Sequence, residues 1–551
     1  MIMSNIYRKM RLGLFASTAL VGLLTSSCGD FLEITPLNAV VVENFWEKKS
    51  EVENVVTSCY YNMQNAELTK RLIVWSELRS DNVSDNSALT NNEDLYNFYT
   101  NNITTMNPWN SWASFYDVIN LCNTVLYYAP QAQQKDGNFS MDELHAYEAE
   151  ALSIRALCYF YLIRTFQKVP LITKASIGDD EDFKVAANDE ATVLKQIKDD
   201  LKWSLQYIWS KNYFDDVRER KGRFNTQSVY ALLADISLWE GDYESCLTYT
   251  QKIMDDKLAE YKQQSEELLN NDYDLYMNNG ELALYEGYPL LDGSVSYHYP
   301  YSMLFYQGNS FESIFEVQYD YTNRSNGNEG LKMFYGDNSN TGSGMLNAAS
   351  WMVDQSGTSL FSDKNDVRLL ENTGYDGVTT SSSYPIFKYR ATWLTDDGLY
   401  LRTTAANWVV YRLTDVMLMR AEALAYIGGD ANCEEAFSIV KAVNERSCGG
   451  VTKLSYNKDN IKQLVLDERQ RELMFEGKRW YDLVRMVRHS ESPTQTMSVL
   501  RNTYLMRKYQ KNGQDAVTRL GSVNNLYLPF HQDEIDVNPL LAADQNPAYV
   551  Y

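Results

Sequence analysis

Leu144, Tyr147, Ala151, Ile154, Cys158 and Tyr161 follow one another in alternating steps of three and four, the spacing of one buried face of an α-helix. Val169-Pro170-Leu171 predicts its end, because proline lacks the amide proton that a helix interior needs. The same period runs from Trp112 to Tyr128, from Val193 to Trp209 and from Gln227 to Met254. It returns beyond residue 405, where Leu413, Val416, Met417, Ala421 and Leu424 line one face. Leu473, Gly477, Trp480, Val484 and Val487 line another, with Gly477 placed to let a neighbouring helix approach closely. A chain with so much helical period must bury helix against helix.

An internal echo suggests how the helices pair. Ala234-Asp235 is followed by Trp239, Gly241-Asp242 and a second helix from Tyr243; Ala421-Glu422 is followed by Tyr426, Gly428-Gly429-Asp430 and a helix through Ala436 and Val440. Small residues at a crossing, an aromatic near the end and a Gly-Asp turn are features of tetratricopeptide-type hairpins. Between these tracts the character changes. Of the 27 glycines, 13 lie between Gly280 and Gly398, among many Asn and Ser, a composition of loops and short strands. The expected fold is therefore mostly α, a tetratricopeptide-like hairpin scaffold with a loop-rich, partly β variable region. The expected segments are 1–27 (signal peptide), 28–255 (N-terminal helical scaffold), 256–400 (variable ligand-binding region) and 401–551 (C-terminal helical region).

The first residues specify an address. Arg8, Lys9 and Arg11 precede an apolar run from Leu12 to Leu24, too short to span a bilayer and suited to a signal peptide. Leu24-Thr25-Ser26-Ser27-Cys28 then looks like a lipobox, with its leucine one position farther from the cysteine than usual. Cleavage there leaves Cys28 as a lipidated N-terminus, and two or more acyl chains anchor a protein stably. Cys59, Cys122, Cys158, Cys246, Cys433 and Cys448 are scattered without a C-x-x-C pair, and read as small buried hydrophobes. The net charge of −23 excludes a nucleic-acid partner and a polybasic membrane patch.

Several ordered blocks then resemble the SusD/RagB family. The first is Tyr411-Arg412-Leu413-Thr414-Asp415-Val416-Met417-Leu418-Met419-Arg420-Ala421-Glu422-Ala423-Leu424, and Ala442-Val443-Asn444-Glu445-Arg446 is similar to the family's next helix. Glu468-Arg469, Glu472-Leu473, Phe475-Glu476-Gly477, Arg479-Trp480 and Asp482-Leu483-Val484-Arg485 look like a third block. Pro529, Glu534, Asn538-Pro539 and Gln545-Asn546-Pro547 resemble the final segment, with Ala548 where the family usually has Gly. Trp112, Tyr116, Ile119, Asn123, Arg155-Ala156 and Tyr159 are similar to earlier helices, and Cys28-Gly29-Asp30-Phe31-Leu32-Glu33 to the mature N-terminus. The resemblance implies a surface-exposed outer-membrane lipoprotein, a SusC-like TonB-dependent transporter as partner, and a glycan, or sometimes a peptide, as ligand.

Catalytic patterns are sparse. His145, His298, His489 and His531 are isolated, and there is no H-E-x-x-H, P-loop or G-x-S-x-G. Alternating Asp467, Glu468, Glu472, Glu476 and Asp482 with Arg469, Arg471, Lys478, Arg479 and Arg485 reads as helix-stabilising ion pairs rather than a catalytic centre. Asp81 to Asp94 offers hard oxygen ligands of the kind calcium takes, but lacks the spaced D-x-[DN]-x-[DN]-G loop, so a polar loop is expected and no cofactor. Aromatic content is the better lead, with 41 tyrosines. A Tyr or Trp in a loop offers a flat apolar face beside a polar tip, which suits a sugar ring. Two regions combine such rings with Asn, Asp and Arg: Tyr96, Phe98 and Tyr99 in an Asn-rich loop before the Trp109 helix, and Tyr297, Tyr299, Tyr301, Tyr306 and Trp351 in the glycine-rich middle. Asp81, Tyr96, Tyr99, Tyr297, Tyr299, Tyr301 and Trp351 are the ligand candidates. The expected function is oligosaccharide capture for transport. Its rivals are peptide capture on the same fold, a glycoside hydrolase, and a structural lipoprotein.

Overall fold

The computed structural model describes residues 45–177, 184–269, 281–293, 299–319, 327–336, 344–352, 360–363, 365–374, 384–389, 406–509 and 512–550. Cys28, the signal segment and Tyr297 lie outside the described residues. Residues 48–551 form one compact unit. Its scaffold helices are α1 (Lys49–Met63), α2 (Ala66–Ile73), α3 (Ala113–Lys135), α4 (Met141–Phe166), α5 (Glu190–Tyr207), α6 (Thr226–Glu240), α7 (Tyr243–Leu269), α8 (Leu413–Ile427), α9 (Asp430–Ser447), α10 (Ile461–Leu473) and α11 (Arg479–Arg488).

The local chemistry explains the boundaries. Ser140 and Glu143 form a reciprocal capping box at the start of α4, and Asp189 and Asn225 cap α5 and α6 through their side-chain oxygens. Gly241 ends α6 at φ +83°, the left-handed conformation that favours glycine. Gly428 and Gly429, at φ +76° and +87°, turn α8 into α9 in the same way. The two Gly-Asp echoes are thus the turns of two helical hairpins. Packing continues from one pair to the next, α3 on α4, α4 on α5, α6 on α7, α7 on α8 and α8 on α9. This is the stacked order of a tetratricopeptide-like array. Leu413, Met417, Ala421 and Leu424 of α8 and Ala436, Ile439, Val440 and Val443 of α9 meet in one apolar cluster.

One helical expectation needs correcting. Leu473, Gly477, Trp480, Val484 and Val487 do not share a continuous helix, because the chain breaks between α10 and α11. Phe475 and Gly477 are both left-handed there, at φ +65° and +76°. A Cβ on Gly477 would stand 2.9 Å from the Trp408 ring and 3.1 Å from Ser76 Oγ. The close approach is therefore real: it is made by Trp408 and, as expected, by a neighbouring helix, α2 with the π-helical turn Val74–Leu78 that continues it, whose Leu72 O lies 3.6 Å away.

The strands are few and short. β1 (Val83–Ser84) pairs antiparallel with β5 (Asn347–Ala348); β2 (Leu282–Tyr285) and β3 (Tyr288–Leu291) form a hairpin; β4 (Ser313–Val317) pairs with β6 (Trp408–Arg412). Glu286 and Gly287 both have positive φ, as a two-residue turn matched to strand twist requires. No helix among the described residues is long and apolar enough to cross a membrane. The six described cysteines are buried free thiols.

Candidate functional site

Pairing of Val83 with Ala348 and Ser84 with Asn347 draws the Asp81 loop against the Trp351 turn. Ala349 N donates to Asn82 O at 2.8 Å, and Trp351 Nε1 donates to Asp81 O at 2.9 Å. The Asp81 carboxylate is fully buried. It accepts from Arg479 Nε at 2.8 Å and Nη2 at 3.1 Å, and from Arg507 Nη2 at 2.6 Å. Arg507 in turn lies flat over Trp351, its guanidinium carbon 3.3 Å from the ring centre, and 5.2 Å from the ring of Tyr504.

The next two residues of the same segment hold a second aromatic group. Lys508 Nζ sits 4.3 Å from the ring centre of Tyr99 and donates to Leu78 O at 2.9 Å. Tyr509 Oη donates to Tyr99 O at 2.9 Å, and Tyr96 lies 6.2 Å from Tyr99 with the rings 30° apart. Asp81, Tyr96, Tyr99 and Trp351 therefore gather around residues 504–509. Arg507, Lys508, Tyr504 and Tyr509 were not singled out by the sequence reading, although Tyr504-Leu505-Met506-Arg507-Lys508-Tyr509 interleaves cations with tyrosines, the signal that would have found them.

Electrostatics and exposure divide the labour. Burial pushes the Asp81 carboxyl up, but Arg479 and Arg507 outweigh it and hold the group far below the usual carboxylate range. Burial pushes Lys508 well below the ordinary ammonium range. Tyr99 is buried at 1% exposure, whereas Tyr96 and Trp351 are half-buried and the Arg507 side chain is 27% exposed. The indole N–H of Trp351 is already committed to a carbonyl and one face to a guanidinium, so what remains of the ring is apolar, rigid and partly open. Such a surface can stack on a flat apolar partner, with the part-exposed Arg507 guanidinium beside it to meet hydroxyl groups.

The remaining candidates sit elsewhere. Tyr299 Oη accepts from Glu281 N at 2.7 Å beside the β2–β3 hairpin. Tyr301 is buried at 5% exposure, its ring 5.7 Å from Phe305. Tyr96 and Tyr99 are not in a loop, as expected, but in a short helix, Glu93–Tyr99, capped by Asn92. Asn86 caps another short helix, so asparagines of the 81–94 stretch bond local amides. Among the described residues no group of three or more His, Cys, Asp or Glu is placed to hold a metal ion.

The charged C-terminal blocks hold the expected helix pairs Glu468–Arg471 and Asp482–Arg485, within a buried lattice that also ties separate elements together. Arg412 binds Glu476 through Nε and Nη2, both at 2.7 Å, and Glu472 through Nη1 at 2.6 Å. Arg368 joins Asp366 and Glu468, and Arg446 joins Glu312 and Glu472. Arg485 grips Glu422 with two bonds of 2.6 Å, and Arg469 grips Asp482 at 3.0 and 2.9 Å. These pairs link separate elements, and bidentate geometry with charge is what keeps buried carboxylates ionised. Burial raises the Glu472 carboxyl, yet Arg446, Arg412 and Arg368 hold it well below its ordinary value.

Comparison with known proteins places this architecture. A profile of the SusD family matches residues 364–549, and one described as "Starch-binding associating with outer membrane" matches residues 30–238. SusD-like protein P38 of Formosa agariphila is 25% identical over 481 residues, covering 84% of this chain and 88% of that protein. A SusD-like protein of Bacteroides ovatus is 26% identical over 291 residues, covering 50% of this chain and 48% of that one. Among solved structures, a SusD superfamily protein from Bacteroides thetaiotaomicron superposes with a TM-score of 0.65 at 21% identity, covering 92% of this chain and 99% of its own. A laminarin-binding SusD-like protein superposes at 0.61 and 23% identity, covering 91% and 100%. At these identities the structures share the fold.

Proposed function

We propose, from the premise that the chain belongs to the SusD family, that it captures an oligosaccharide at the outer-membrane surface and acts by binding without turnover. The observation that carries the reading is the half-buried Trp351, fixed by the Asp81 carbonyl and backed by Arg507, with Tyr96 on the neighbouring group. A ring held this way loses little freedom on stacking against a sugar, so more of the contact energy survives as affinity. A solved neighbour of the same fold binds laminarin, which adds support for a glycan over a peptide. In this reading the Cys28 lipid anchors the chain, and the captured glycan passes to a SusC-like TonB-dependent transporter.

The test is a glycan panel probed with the chain from residue 29 onward, with peptides in parallel. Binding to one polysaccharide class, weakened tenfold or more (about 1.4 kcal/mol) by Trp351→Ala and by Tyr96→Ala, is the expected result. Binding confined to peptides, or reducing ends released from a polysaccharide, would replace this reading with peptide capture or hydrolysis.

A further inference from the structure

A second chemistry lies on the far tract of the chain. Between the short helix Val217–Gly222, the start of α6 and the middle of α7 is a polar cavity of about 260 Å³. Glu260 projects into it and is held by Lys211 Nζ at 2.7 Å, Lys257 Nζ at 3.0 Å and Gln227 Nε2 at 3.1 Å. Lys221 lines the same cavity, buried at 9% exposure. Its Nζ donates to Ser313 O at 2.6 Å, and among the described residues no carboxylate lies within ion-pair distance of it. Arg220 adds a fourth cation, held by the carbonyls of Phe214 at 3.2 Å and Asp215 at 3.0 Å.

Lys211, Arg220 and Lys221 thus line the cavity with the part-exposed Glu260 and the exposed Asp215, while the fully buried Lys257 holds Glu260 from behind and Asp256 lies 3.5 Å from Lys211. A buried ammonium satisfied only by a carbonyl is costly unless an anion meets it. Burial and the adjacent Lys257 push Lys221 well below the ordinary ammonium range, and Glu260 and Glu316, beyond ion-pair distance, offset this only in part. Phe214 and Phe311 supply apolar walls on which the carbon face of a ring can rest.

We propose that this cavity is a second ligand site that takes an oxyanion carried by a sugar, the carboxylate of a uronic acid or a sulfate ester, through Lys221 and Lys211, with Arg220 on the same wall. The cavity is somewhat smaller than the ~300 Å³ at which drug-sized pockets begin, which fits one charged ring rather than a chain. That the anion is borne by a sugar rests on the capture reading above; that the cavity takes an anion does not. The site is separate in residues from the Trp351 surface, so it selects acidic glycans without replacing the aromatic stack.

The test is calorimetry on the chain from residue 29 onward with four probes: methyl glucuronide, glucose 6-sulfate, inorganic sulfate and glucose. At least one acidic sugar is expected to bind more tightly than inorganic sulfate, with no heat from glucose. Lys221→Met should abolish that binding and Trp351→Ala should leave it unchanged, which separates this site from the aromatic one. Glu260→Gln removes the competing negative charge and should tighten binding roughly tenfold or more, a gain that misfolding cannot imitate. The proposal is overturned if no anion binds, if Glu260→Gln weakens binding, or if folded Lys221→Met binds like the parent. Inorganic sulfate binding as tightly as both sugar acids would overturn the sugar assignment.

Discussion

Replacing Asp81 with Asn removes one charge and keeps the shape, which makes it the sharpest probe of how the aromatic surface is held. Asp81 is fully buried and serves two cations, Arg479 at 1% side-chain exposure and Arg507 at 27%. Removing one partner of a buried ion pair costs about 3–5 kcal/mol, because a charge is left without compensation. Arg507 can turn toward water, whereas Arg479 cannot, so the lower end, about 3 kcal/mol, is expected. Against a typical total of ~5–15 kcal/mol that is a large share. Urea unfolding followed by circular dichroism should show the midpoint falling with the slope unchanged. The native carboxyl is held below its unfolded value, so its contribution is present above the unfolded pKa of ~3.9 and is lost as pH falls toward the folded one. The parent and Asp81→Asn should therefore converge in stability as the solution is acidified. Arg507→Met, which leaves the Asp81–Arg479 pair intact, should cost less than ~1 kcal/mol, yet should weaken glycan binding by freeing Trp351. A loss below ~1 kcal/mol for Asp81→Asn at neutral pH would refute the argument that this carboxylate is the pin of the site.

Other expectations follow from the same geometry. Gly477→Ala combines a left-handed φ of +76° with a Cβ 2.9 Å from the Trp408 ring, and should destabilise the fold by at least ~2 kcal/mol in the same unfolding assay. Burial pushes the Glu77 carboxyl up to about 7 in spite of its bonds from Asn82 and Gly477. The folded state thus holds a proton that the unfolded chain releases near ~4.3, so stability should fall between ~4.3 and about 7. Glu77→Gln should lose that slope, gaining on the parent by roughly 4 kcal/mol across the window. Unfolding the chain from residue 29 onward without reductant should expose six reactive thiols; fewer would mean that cysteines recorded as free are paired.

The helical part of the fold was legible because its signals are local. Periods of three and four and Gly-Asp turns each act within a few residues, and α4, α6, α8 and α9 appear where those signals lie. The break between α10 and α11 was not legible, because apolar spacing across Leu473 to Val487 continues through it. At that break Phe475 and Gly477 take left-handed φ, and Gly477 lies against Trp408 and Ser76, distant in sequence. The aromatic surface was legible in half. Asp81, Tyr96, Tyr99 and Trp351 stood out as rings and acids in polar surroundings, but the segment that gathers them lies more than 150 residues beyond Trp351. Nor did the pattern separate a ring that packs from one that remains partly open, since Tyr99 and Tyr96 differ by three positions on one short helix.

The charged blocks that make the chain recognisable and the surface that would meet a ligand obey different physical constraints. Arg412, Glu422, Glu468, Arg469, Glu472, Glu476, Asp482 and Arg485 are buried and share partners, so changing any one leaves another charge bare in a dry interior. Such residues can be exchanged only in concert, and they hold β6, α8, α10 and α11 together whatever the ligand is. Trp351 and Tyr96 are half-buried rings whose replacement strands no charge, so they can change singly as a ligand changes. The two systems meet where Arg479 of the charged blocks holds Asp81, and Asp81 holds Arg507 over Trp351. Through that contact the rigidity of the scaffold reaches the open ring, which is why a substitution at Asp81 should register in both stability and binding, and one at Trp351 in binding alone.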